Sequence, residues 1–273
     1  NICNPFGAMR PRPSKEEMDA KIHEVARLLE IEHLLDRKVD QLSGGQKQRV
    51  SLARSMVRKP SVFLFDEPLS HVDAKIRHAM RVELHRVAAA LATTTVYVTH
   101  DYVEALSLGD RILVLDQGVV QQIGTPHQIY YEPANEFVAK TVGQPGINLI
   151  TFRVRAVDGK LTLVSKDNTQ LTLSPAPDVG KTLANYLNQE VKVGIRPRDI
   201  RISASPETGG LVPGTTELYE VWGRKGVVLV AVGEILISVL LDSEERVEIN
   251  RPIWLDFSRA ALYLFDQSGM RIA

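Results

Sequence analysis

The segment Val62-Phe63-Leu64-Phe65-Asp66-Glu67-Pro68 opens with four apolar residues in a row and ends abruptly in two acids and a proline. Such a run, with no polar alternation, predicts a strand buried on both faces, as in a parallel sheet. Carboxylates at the carboxyl end of a parallel strand stand where open α/β sheets bind ligands. A second strand is expected over Thr95-Val96-Tyr97-Val98-Thr99, ending at His100. Between the two, residues 74–92 read as a helix, with Ile76, Met80, Leu84, Val87 and Leu91 as its core-facing stripe. Strand, helix and strand with this length of connection make a βαβ unit.

Upstream, Ser14-Lys15-Glu16-Glu17 has the form of a capping box, in which the serine caps the helix start and the glutamate reaches back. Met18, Ile22, Val25 and Leu29 follow at helical spacing. Gln41-Leu42-Ser43-Gly44-Gly45-Gln46 comes next, followed by a second helix to about Arg58, stopped by Pro60. Downstream, Asp101 and Glu104 form a second capping box, and 111–115 with 119–123 form a hairpin around Gln117-Gly118. Thr125-Pro126 opens another helix with proline at its first position.

The composition changes at Gly143-Gln144-Pro145-Gly146, which reads as a linker. Short alternating strands then take over at 151–157, 161–164, 191–195, 227–232 and 235–240, with turn signals at Asp158-Gly159 and Gly233-Glu234. Such a series suggests a small barrel. Only 177–187 hints at helix there.

The bulk properties narrow the function classes. The 33 Lys and Arg balance 33 Asp and Glu, which argues against nucleic acid as the main partner. Cys3 is the one cysteine, so no internal disulfide can form, in keeping with a reducing cytosol. The most apolar run, 227–241, is interrupted by Gly233-Glu234 and is too short to span a membrane as a helix.

The chemistry concentrates at a few positions. Two glycines at a helix start let backbone N–H groups approach a phosphate, and the helix terminus adds positive potential. Ser43, Gly44, Gly45 and Gln46 meet that description, and Lys47 and Arg49 extend the positive character. Asp66 suits a magnesium ion held largely through water. Glu67 suits a base that orients and polarises an attacking water.

Leu42-Ser43-Gly44-Gly45-Gln46 resembles the signature sequence of ATP-binding cassette (ABC) ATPases, and Phe63 to Pro68 resembles their Walker B strand followed by the catalytic glutamate. Leu69-Ser70-His71-Val72-Asp73 resembles the D-loop, and His100 resembles the switch histidine that contacts the γ-phosphate. The four motifs occur in family order. Gly124-Thr125-Pro126, with Tyr130, Glu132, Pro133, Phe137 and Val138, is similar to the end of the ATPase core in sugar and related importers. Gly194-Ile195-Arg196-Pro197 is similar to their appended barrel domain, often called TOBE.

The resemblance implies an α/β fold: the rear part of a P-loop-NTPase-like ABC core with its helical subdomain over residues 1–145, then an OB-like TOBE barrel over 146–273. It implies ATP and Mg²⁺ as ligands, with Glu67 and His100 catalytic and Asp66 on the metal. Ser43, Gly44, Gly45, Gln46 and Asp73 would contact nucleotide across a dimer of ATPase subunits, homo- or heterodimeric. The implied partners are transmembrane permease subunits and, indirectly, a periplasmic or extracellular solute-binding protein, with the chain peripheral on the cytoplasmic face of the cell membrane. The implied function is hydrolysis of ATP coupled to uptake of a carbohydrate, polyol or glycerol derivative, although iron and polyamine importers share the architecture.

One departure stands out. A full subunit begins with a Walker A loop, G-x-x-x-x-G-K-S/T, and none occurs here. Gly180-Lys181-Thr182 comes nearest, but Pro175 stands where its first glycine belongs. With Asn1 in place of an initiator methionine, the expectation is an N-terminally truncated sequence, inactive alone. The alternative is a non-catalytic regulatory protein derived from an ABC ATPase that works through its barrel. A soluble ABC ATPase of repair or translation is a third option, in which such a barrel is unexpected.

Overall fold

A computed structural model describes residues 13–57, 61–70, 77–78, 80–82, 84–86, 93–168, 171–206, 211–242, 245 and 247–272. The chain forms two compact units, residues 1–110 and 111–273.

In the first unit, α1 (Lys15–Leu28) starts at the expected capping box, with Ser14 and Glu17 bonded reciprocally. It buries Ile22, Val25 and Ala26. Helix α2 (Gly44–Met56) ends at its cap Val57; the expected end at Arg58 lies outside the described residues. Two arginines close the carbonyl end of α1: Arg49 of α2 donates to Leu29 O at 3.1 Å, and Arg86 donates to Leu28 O at 2.9 Å. Cations there complement the negative end of the helix dipole.

Strands β1 (Val62–Asp66) and β2 (Thr94–Val98) pair in parallel, Asp66 opposite Val98. The helix expected at 74–92 is present at 77–78, 80–82 and 84–86, where Met80 and Leu84 are buried; Ile76, Val87 and Leu91 lie outside the described residues. Phe63 and Leu69 join Leu29, Leu52, Met56, Met80 and Leu84 in one core, with Phe65 and Tyr97 packed on it.

Burial of β1 on both faces is not what the structure has. Phe63 is 5% exposed, whereas Leu64 is 76% exposed. The helices cover the Phe63 and Phe65 side; Val62, Leu64, Val96 and Val98 on the other side face no layer among the described residues. Unbroken hydrophobicity marks a strand made to be covered twice, but cannot say which segment supplies the second cover.

The second unit begins with the hairpin of β3 (Ile112–Asp116) and β4 (Val119–Gly124). Helices α4 (Pro126–Tyr131) and α5 (Glu136–Thr141) follow, α4 opened by a capping box between Thr125 and Gln128. Helix α3 (Tyr102–Leu108) precedes them in the first unit.

The rest is β-rich. One antiparallel sheet contains β5 (Asn148–Val157), β6 (Lys160–Ser165), β7 (Thr172–Leu173), β8 (Glu190–Ile195) and β14 (Leu262–Phe265). The other contains β9 (Arg201–Ser203), β10 (Val212–Trp222), β11 (Lys225–Val232), β12 (Ile235–Asp242) and β13 (Pro252–Asp256). The helical hint at 177–187 resolves into α6 (Pro177–Leu183) and a 3₁₀ turn (Ala184–Tyr186).

Phe152, Val154, Val193, Val230, Val239 and Leu255, from both sheets, share one core. Buried Asn148 stitches the sheets as a backbone would: it donates to Ser238 O at 2.9 Å and accepts from Ser238 N at 2.8 Å. Gly194 is closely packed: a Cβ there would stand 2.8 Å from the Ile147 Cδ1 and 3.3 Å from the Tyr263 Cβ, so its neighbours would have to shift.

The segment around the expected linker packs on the barrel. Arg196 donates to Val142 O at 2.5 Å and to Tyr130 O at 2.6 Å, closing the carbonyl ends of α4 and α5 together. Its guanidinium lies 4.0 Å over the Tyr130 ring, and the residue is 2% exposed. Gly143 makes room for it: a Cβ there would lie 2.8 Å from the Arg196 Nη1.

Candidate functional site

Ser43 caps α2 in a reciprocal box: Gln46 N donates to Ser43 Oγ at 3.4 Å, and Ser43 N donates to Gln46 Oε1 at 3.0 Å. The first four N–H groups of a helix lack helical acceptors. That of Gly44 takes no acceptor among the described residues and faces open space, since a Cβ there would meet nothing within 4 Å. Gln46, expected as a nucleotide contact, here completes the cap.

Asp66 ends β1 exposed, on the same side as Val62 and Leu64. Among the described residues no three His, Cys, Asp or Glu side chains gather as a metal site. A lone carboxylate at an open strand end suits magnesium, which keeps several waters and takes few protein ligands.

Glu67 adopts φ +44, a left-handed conformation for a residue with a Cβ. Such a conformation costs on the order of 1–3 kcal/mol and persists only where the surroundings enforce it. Here Glu67 N donates to Val98 O at 2.9 Å, and Glu67 O accepts from Ser70 N at 3.2 Å and from Ser70 Oγ at 2.9 Å. The turn throws the carboxylate beyond the strand end. Its Oε1 lies 3.1 Å from the His100 Nδ1, with the two side chains 44% and 74% exposed. Two residues expected to be catalytic, 33 positions apart, thus meet at the carboxyl end of the parallel pair.

The expected capping box at Asp101 and Glu104 is only half present. Asp101 Oδ1 accepts from Val103 N at 2.8 Å and Glu104 N at 3.4 Å. Glu104 does not reach back to Asp101 N, which donates instead to Thr99 Oγ1 at 3.0 Å. The Glu104 carboxylate is buried and accepts from Tyr97 Oη at 2.9 Å and Thr99 Oγ1 at 2.8 Å. Two hydroxyl donors on the strand side outcompete one backbone N–H. Burial, and then the neighbouring Glu104 carboxylate, push the Tyr97 phenol above its ordinary range, so it stays a protonated donor. Tyr97 and Thr99 were legible only as strand residues; their two-residue spacing, which points both hydroxyls one way, was the available signal.

Glu67, Ser70, Thr99, His100 and Glu104 line one small pocket, which Ser43, Gly44, Gly45 and Gln46 do not enter. Asp73, the expected D-loop contact, lies outside the described residues.

A family model described as "ABC transporter" matches residues 4–70, and one described as "MalK OB fold domain" matches residues 143–200. The sn-glycerol-3-phosphate import ATP-binding protein UgpC of Escherichia coli K12 is 39% identical over 261 residues, 94% of this chain and 70% of its own length. The same-named protein of Salmonella typhimurium is 39% identical over 260 residues, covering 95% of this chain and 70% of its own length. The uncharacterized ABC transporter ATP-binding protein YurJ of Bacillus subtilis is 38% identical over 265 residues, covering 96% and 71%. A solved structure, cbiO1 from Clostridium perfringens, part of the ABC transporter complex cbiONQ, is 29% identical over 47% of this chain and about half of its own (51%), with a TM-score of 0.43.

Proposed function

Because the chain belongs to the ATP-binding subunits of ABC importers, a family of transporter ATPases, we propose that residues 1–145 contribute the rear half of an ATP-hydrolysing site and that 146–273 form its regulatory barrel. The observation that carries this reading is the Glu67–His100 contact at the end of the parallel strand pair.

In this reading Glu67 orients and polarises the attacking water as general base. His100, held against it, presents its other ring nitrogen to the γ-phosphate. Asp66 would hold Mg²⁺, which would supply charge neutralisation on the phosphates. Ser43, Gly44 and Gly45 offer the hydroxyl and backbone N–H groups of the α2 terminus to nucleotide held by a second ATPase subunit, with Gln46 and Asp73 alongside. Their absence from the Glu67 pocket supports a role across a dimer.

The solute is a carbohydrate, polyol or glycerol derivative, a reading supported by the import ATP-binding relatives named for sn-glycerol-3-phosphate. The complete protein sits on the cytoplasmic face of the membrane against permease subunits, with a solute-binding protein upstream. Replacing Glu67 by Gln in the complete natural protein is expected to lower ATP turnover by about 10²–10⁴-fold, the usual worth of a general base, and to trap a closed, ATP-bound dimer. Normal turnover in that variant refutes the assignment.

A further inference from the structure

We propose that Glu104 is a positioning residue for His100: by holding the Tyr97 and Thr99 hydroxyls it fixes the turn that sets the imidazole against Glu67. The inference rests on the reading of Glu67 and His100 as the working pair.

Glu104 is 3% exposed. A carboxylate is costly to bury unless hydrogen-bonded. At the third position of a seven-residue helix whose other residues are half-buried or exposed, a glutamate would ordinarily stay in water or complete the cap. Here it is turned inward, toward β2 and the pocket that holds Glu67 and His100.

The connectivity shows what the burial achieves. Thr99 Oγ1 gives its proton to Glu104 at 2.8 Å and accepts from Asp101 N at 3.0 Å. Asp101 in turn caps α3 through Val103 N at 2.8 Å. His100 is the single residue between Thr99 and Asp101, so both of its neighbours are fixed by the same hydroxyl. Tyr97, two residues back on the same face, anchors Glu104 a second time at 2.9 Å. Nothing in this network touches the imidazole itself. The network determines where the main chain carries it, and a side chain 74% exposed has few other restraints.

The test measures ATP turnover of the complete natural protein in its assembled transporter, and separately the equilibrium affinity for a non-hydrolysable ATP analogue. Variants Glu104→Leu, Glu104→Gln, Thr99→Val and Tyr97→Phe are each made alone and with His100→Ala. A misplacement on the order of 1 Å costs about 100-fold. Glu104→Leu should approach that loss in kcat, Thr99→Val should lose roughly 10-fold, and Tyr97→Phe, farther from His100, should lose less. Glu104→Gln keeps an acceptor oxygen and should largely restore turnover. Analogue affinity should hold in all four. In the His100→Ala background the same substitutions should change kcat little, because the group they position is gone.

If Thr99→Val and Glu104→Leu fold and turn over like the parent, or lose as much in the His100→Ala background as in the parent, the positioning role is wrong and Glu104 serves the fold alone. Thr99→Val, nearly isosteric, keeps the test open if Glu104→Leu does not fold. If His100→Ala alone leaves turnover intact, the underlying reading of the pair fails, and this inference with it.

Discussion

The parallel pair β1–β2 and the sheets of the barrel are written in the same apolar alphabet but are used differently. In the barrel, Phe152, Val193, Val230 and Val239 are all fully buried, and each sheet finds its cover in the other. In β1–β2 one face is packed and the other leaves Val62, Leu64, Val96 and Val98 about half or more exposed. The barrel is held by its own residues. The strand pair that carries Asp66 and Glu67 is held on one side, and its exact ends are set by turns and hydrogen bonds. The candidate site residues sit on the less covered of the two regions.

That contrast can be broken most directly by paired truncations. Phe152→Ala should cost about 3–5 kcal/mol, the usual penalty for an aromatic removed from a closed core. Leu64→Ala, on the open face, should stay within about 0.5 kcal/mol. Both tryptophans, Trp222 and Trp254, lie in the barrel, so denaturant unfolding followed by tryptophan fluorescence reads that region alone, with circular dichroism at 222 nm following the helices of the first unit as well. Equal losses in the two regions would mean that the open face is covered in solution.

A smaller effect sharpens the account of how the barrel holds the helices before it. Arg196 donates to two helix ends, and a bond to a charged group contributes about 1.5–3 kcal/mol. Arg196→Met should destabilise the fluorescence-detected transition by roughly that amount, with Leu64→Ala as the silent control. An unchanged midpoint would remove the clamp from the explanation of why residues 111–142 pack with the barrel.

The smallest effect is one of pH. Burial alone would raise the Glu136 carboxyl, but the hydrogen bonds and charges of Lys140 and Lys192 outweigh it and hold the pKa below the ordinary value. A carboxyl depressed in the folded state stabilises fully above its unfolded pKa, and that contribution fades as pH falls through the folded one. The fluorescence midpoint should therefore drop more steeply in mild acid for the parent than for Glu136→Gln. Parallel pH profiles would assign the acid sensitivity elsewhere.

The linear chain offered candidates for chemistry more readily than it offered architecture. Ser43 to Gln46, Asp66, Glu67 and His100 could be nominated because each candidacy rests on a particular residue type beside a particular backbone feature, and both are local. The Asp101 cap was legible for the same reason. The orientation of Glu104 was not, because a cap and a buried acceptor call for the same residue at the same spacing; the choice depends on Tyr97 and Thr99, which only the strand–helix packing brings near. Arg196 was visible as part of a motif, but its burial was not. A buried guanidinium with no ion pair among the described residues makes sense only once two helix ends converge on it. Several barrel strands lacked a clean alternating signal: β10 is interrupted by the register shift between Thr216 and Leu218, and β14 is apolar at all four positions and buried at three.

By itself the amino-acid order determined which residues are candidates for phosphate, metal or water, since candidacy follows from side-chain type, helix starts and strand ends. The tertiary structure alone decided that Glu67 and His100 stand 3.1 Å apart, that one face of β1 is open, and that Glu104 faces inward. The reason is physical: capacity is a property of a residue and its immediate neighbours, whereas distance, burial and the competition between hydrogen-bond partners belong to segments that meet only when the chain has folded.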